Sequence, residues 1–113
     1  MCKTIEYHRY RKITRKERDA ETCKELIQFT RELLEEQEIH LSDSQLLSLT
    51  SHLSAMVYRS INNEQLAPID KVLFSEVSEE SIELAAKICG RLKGLQDDEK
   101  YLLSIHFESA KMC

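Results

Sequence analysis

The chain has 113 residues, a formal net charge of −4 and 32% charged residues, with only two glycines and one proline. That length holds one domain with one modest core, and so few breakers suit helices joined by short connections. No apolar run is long enough to span a bilayer, and no stretch alternates as a strand would. The N-terminus MCKTIEYHRYRK lacks the apolar segment of a secretory leader, so a cytoplasmic protein is the expectation. Cys2, Cys23, Cys89 and Cys113 have no C-x-x-C spacing, which argues against a zinc cluster. In a reducing compartment all four are expected as thiols.

Charge is uneven from the start. Residues 1–19 hold seven Lys/Arg against three Asp/Glu, and the rest of the chain holds nine against seventeen. The segment RYRKITRKER is therefore a basic arm, either solvated or in contact with nucleic acid or an acidic partner. It is too short to fold as an RNA-binding domain. Residues 1–16 are assigned to the arm and 17–113 to a single domain.

A first helix is expected from Glu17 to Glu38, with Cys23, Leu26, Ile27, Phe29, Leu33 and Leu34 at three- and four-residue spacing. Ser42 and Gln45 form a capping-box signature that starts a second helix, which ends at Asn62-Asn63. Its stripe is Leu46, Leu49, Leu53, Met56, Val57 and Ile61. Pro68 opens a short turn to Phe74, with Val72, Leu73 and Phe74 as an apolar plug. Ser78 caps the next helix, whose stripe reads Ile82, Ala85, Ala86, Cys89 and Leu92. Gly90 within it costs about 0.5–1 kcal/mol relative to Ala and leaves room for a neighbouring helix, while Gly94 suits a left-handed cap. Asp97, Asp98 and Glu99 then favour the start of a last helix. Its apolar arc is Leu102, Leu103, Ile105, Phe107, Ala110 and Met112. The fold class is all-α: a compact helical bundle of four longer helices plus one short helix.

Two of the four histidines stand out. His106 falls within the apolar arc of the last helix, with Glu99 seven residues earlier on the same side. A titratable ring on an apolar face is costly unless it is paired or used. His52 lies at the edge of the second helix's stripe, with Gln45, Ser48, Ala55 and Arg59 on its side; an arginine two turns away can meet a phosphate. The plainer readings are a core histidine bonded to Glu99 and a surface histidine beside a surface arginine. A metal site from His52, His106 and Glu99 is the weakest reading, because the Glu-x-x-His pairs of helical bundles do not occur. His8 and His40 are expected to be solvated.

LLSLTSHLSAMVYRS, residues 46–60, and GLQDDEKYLLSIHFESA, residues 94–110, together resemble the PRD, the regulatory domain of the bacterial sugar phosphotransferase system. The first is similar to the family's apolar helix with a histidine and, seven residues on, an arginine. The second is similar to its glycine, acidic helix start, glutamate and later histidine. The resemblance covers about three quarters of the chain and implies a helical bundle that forms homodimers. It implies that His52 and His106 are phospho-acceptors supported by Arg59 and Glu99. Two positions depart from the family pattern: Ser51 stands where an aspartate usually precedes the first histidine, and Ser109 where an asparagine follows the second.

The resulting expectation is a regulatory module, not an enzyme. It would be phosphorylated on histidine by HPr or an enzyme II component, and would control a partner protein or transcription. Neither cofactor, metal nor membrane is expected. The alternatives are an RNA-binding antiterminator-like protein acting through the basic arm, with nucleic acid as partner, and a purely structural dimerisation domain.

Overall fold

Helix periodicity governs the whole described chain. The computed structural model describes residues 15–111, with side chains from residue 19 onward. The order is α1 (Arg15–Glu36), α2 (Asp43–Asn62), a 3-10 turn (Lys71–Phe74), α3 (Glu79–Cys89) and α4 (Glu99–Lys111). Four longer helices and one short one, with no strand among the described residues, make the fold all-α. The basic arm lies outside the described residues up to the start of α1, as do His8, Cys2, Met112 and Cys113.

Local chemistry sets the helix ends. Helix α1 stops two residues earlier than its periodicity suggests. Glu38 adopts a left-handed conformation (φ 55°), and the Ile39 N–H donates to the Leu34 carbonyl at 2.9 Å. This is a Schellman-type stop, with Ile39 folded back onto the core, made without the glycine that usually signals it. The capping box opens α2 as expected: the Gln45 N–H donates to the Ser42 hydroxyl, and the Ser42 N–H donates to the Gln45 side chain at 2.9 Å. Asn63 closes α2 in the left-handed region at φ 55°. Asp70, rather than Pro68, caps the 3-10 turn by accepting from the Val72 N–H at 3.0 Å.

The core comprises Leu26, Leu33 and Leu34 of α1; Leu49, Leu53, Met56 and Val57 of α2; Leu84, Ala85 and Ile88 of α3; and Leu103 and Phe107 of α4. Three sequence expectations need correction here. Only Phe74 of the expected plug is buried, whereas Val72 and Leu73 are 73% and 77% exposed. The 3-10 geometry lets one of three successive side chains face inward, and Phe74 packs on Tyr101. The inward face of α3 is Ser81, Leu84, Ala85 and Ile88, so Ala86 points outward. Ser81 belongs to the buried face because a carboxylate on α4 satisfies its hydroxyl. Finally, Gly90 caps α3 instead of interrupting it, and a methyl group there would meet only the backbone carbonyls of Ala86 and Lys87. No neighbouring helix uses the space. Gly94, by contrast, has φ 73°, which requires a glycine-like residue.

Candidate functional site

Helices α2 and α4 run antiparallel and meet along one polar line. Each carries two of the singled-out residues seven positions apart, about 10.5 Å along the axis. With the helices antiparallel, equal spacing brings the residues together in pairs. His52 meets His106, with Nδ1 of the first 3.3 Å from Nε2 of the second. The rings stand edge to face with centroids 5.0 Å apart. Arg59 meets Glu99 in a two-pronged ion pair, its Nε donating to Oε2 at 2.7 Å and its second guanidinium nitrogen donating to Oε1 at 2.8 Å. The four expected site residues thus converge on one place.

Their partners differ from the plain sequence reading. Glu99 does not bond His106, since both of its oxygens face Arg59. His106 also does not sit at the centre of an apolar face. The buried side of α4 is Glu99, Leu103, Ser104 and Phe107, and Ile105 is 47% exposed. The arc read from sequence was rotated because it counted Ile105 as core. It also discounted Ser104, whose hydroxyl is buried at no cost in partners because it donates to the Tyr101 carbonyl at 2.6 Å. His106 and His52 are both half-buried at the border between core and solvent.

The electrostatics follow from that border position. Burial, then the neighbouring His106 and Arg59, push the His52 imidazole down to about 4. Burial also lowers His106. Both rings are therefore neutral at physiological pH, and each holds one bare nitrogen lone pair. The Nε2 of His52 is buried and has no hydrogen-bond partner. Glu99 is 1% exposed, and its hydrogen bonds to Arg59 raise that guanidinium above its ordinary value. Next to the ion pair, burial and then the charges of Glu99 and Asp97 push the Cys89 thiol up to about 12. His40 is exposed in the connection between α1 and α2 and takes no part in this site. Among the described residues no group of three His, Cys, Asp or Glu side chains could hold a metal ion.

A second polar cluster escaped the sequence reading. The Glu108 carboxylate accepts from the Ser81 hydroxyl at 2.8 Å and from the Ser78 hydroxyl at 2.9 Å, and the Lys111 ammonium donates to Ser78 at 2.7 Å. These hydroxyls hold Glu108 below the usual carboxylate range. The cluster ties the start of α3 to the end of α4. Serine and glutamate at helix ends are common, and only the packing of α3 on α4 reveals their meeting.

Comparison with known proteins places the chain in a family. The family model described as the PRD domain matches residues 24–110. No curated protein matches the chain. Among solved structures, a PRD-containing transcription regulator from Lactobacillus casei is 41% identical, and the match covers 83% of this chain and 84% of that one with a TM-score of 0.80. Matched over most of its length both by the family model and by this solved relative, the chain belongs to the PRD family, the regulatory domains of the sugar phosphotransferase system.

Proposed function

We propose that this chain is a cytoplasmic regulatory module that accepts a phosphoryl group on His52 or His106 from phosphorylated HPr or an enzyme II component. The observation that carries the reading is the convergence of two neutral imidazoles at one helix border, in line with a half-buried arginine paired to a buried glutamate. A neutral imidazole is a nucleophile at physiological pH. Its bare nitrogen attacks the phosphorus of the donor's phosphohistidine, forming one N–P bond as the donor's N–P bond breaks. The donor ring leaves with the electron pair and takes up a proton, and the acceptor ring sheds the proton on its other nitrogen. The module accepts the group and does not itself catalyse. A charge of nearly −2 then arrives in the field of Arg59, about two helical turns away, where it competes with Glu99 for the guanidinium. The similar regulator from Lactobacillus casei favours transcription as the process controlled, through a partner or output domain.

A homodimer is part of the proposal. After Asp43 in its first turn, the outward face of α2 carries Leu47, Ser51, Ser54, Ala55 and Tyr58, a stretch free of charge, with Leu47 70% and Tyr58 52% exposed. Such a face suits a self-complementary contact. Incubation with phosphorylated HPr or a cognate enzyme II, followed by mapping of acid-labile phosphate, tests the function. Label is expected on His52 or His106, and label confined to His8 or His40, or absent altogether, would overturn the reading. Light scattering tests the dimer, and a monomer at high micromolar concentration would remove that part.

A further inference from the structure

The two histidines are not covered equally. His52 has both ring nitrogens closed: Nδ1 faces His106 at 3.3 Å, and Nε2 is buried without a partner. His106 gives only its Nε2 to the contact. To free His106, one hydrogen bond between neutral rings must open. To free His52, either that bond must open or its buried edge must be uncovered, and an attacking donor must also get past the His106 ring standing edge to face against it. Neither Arg59 nor Glu99 shields the rings directly, since both are engaged with each other one and a half to two turns away along the helices.

We infer that His106 is the gate to His52: His106 is the first of the pair open to an electrophile, and His52 stays closed until His106 moves aside. The bearing of this order on phosphorylation rests on the acceptor reading above, but the order itself does not. A phosphoryl group would enter at His106. A phosphoryl group on Nε2 of His106 does not fit in the 3.3 Å gap to Nδ1 of His52, so its arrival there would part the rings and uncover His52. The pair would then act in sequence, with the first phosphorylation preparing the second site.

Diethyl pyrocarbonate tests the order without any biological donor. The bare nitrogen of a neutral imidazole attacks its carbonyl carbon and keeps an ethoxycarbonyl group, while ethyl carbonate leaves, takes the ring proton and decays to ethanol and carbon dioxide. Time-resolved peptide mapping of the full chain should show exposed His40 modified first, His106 next and His52 last. His106→Ala should speed modification of His52 by about three- to tenfold, the factor that opening one neutral hydrogen bond represents. Should that variant fail to fold, the wild-type order alone decides. Modification of His52 as fast as His106 in the wild type, or an unchanged His52 rate in a folded His106→Ala, would overturn the gate. A parallel time course with phosphorylated HPr or the cognate enzyme II separates the two ideas. The expected reagent order with no phosphate on either histidine would leave the gate standing and sink the acceptor function instead.

Discussion

Helix α4 carries a carboxylate near each end, and the two are held in opposite ways. Glu99, in the first turn, is 1% exposed and depends on the single side chain of Arg59. Glu108, in the last turn, takes bonds from two serine hydroxyls and the Ser78 backbone N–H, with Lys111 nearby. Glu108 has several partners, most of them neutral, and losing one leaves others. Glu99 has one charged partner and no replacement among the groups bonded to it. A redundant cluster makes a fixed clasp between α3 and α4. A buried charge with a single partner makes a joint whose state depends on where that partner points, and here the partner lies on the same helix line as the two histidines proposed as acceptors.

The largest test of this contrast is Arg59→Ala. Removing the guanidinium leaves a buried carboxylate without its counter-charge, which should cost about 3–5 kcal/mol in urea unfolding. The double variant Arg59→Met/Glu99→Leu should recover most of that loss, because it removes both charges together. A loss for Arg59→Ala no greater than that for Glu108→Gln would break the comparison.

Acidification probes the same joint with a smaller effect. An unfolded histidine titrates near 6.5, whereas folded His52 titrates near 4. Between those values the unfolded chain binds the additional proton, so stability should be full above about pH 6.5 and should fall as the pH drops toward 4. Solvent screening of a half-exposed ring limits the loss to the order of 1 kcal/mol. Unfolding of wild type and His52→Gln across this window checks it, and the variant should show the shallower slope.

The smallest effect belongs to the clasp. Glu108→Gln keeps an acceptor oxygen for the Ser78 and Ser81 hydroxyls and gives up only the charge toward Lys111. Its melting temperature should stay close to wild type and well above that of Arg59→Ala. A drop that rivals the arginine variant would show that the clasp, not the joint, is the vulnerable region.

Most of the bundle was legible in the sequence because helical periodicity and caps are local. Ser42, Gln45, Asn63 and Ser78 do what their side chains favour. The histidines and their seven-residue companions were legible as well, through chemistry placed at an awkward border. What was not legible depended on rotation and on tertiary partners. Ile105 reads as core until α4 is turned so that Ser104 faces inward with its own carbonyl partner. Arg59 and Glu99 read as companions of their own histidines because i,i+7 pairs share a helix face. Only the antiparallel meeting of α2 with α4 pairs them with each other. Glu38 in a left-handed cap defeats local reading altogether, since nothing in a glutamate announces it.

Cys89 turns this arrangement into a clock. With its thiol pushed up to about 12, the thiolate is scarce at pH 8, so alkylation of this position in the closed chain is slow. The electrostatic part of that suppression comes mainly from the Glu99 charge, and the rest from burial. Any event that swings Arg59 away or lifts α4 from its neighbours must change the rate at which this sulfur reacts. A cysteine outside the proposed phosphoryl chemistry thereby reports, from inside the fold, how often the joint between Arg59 and Glu99 comes apart.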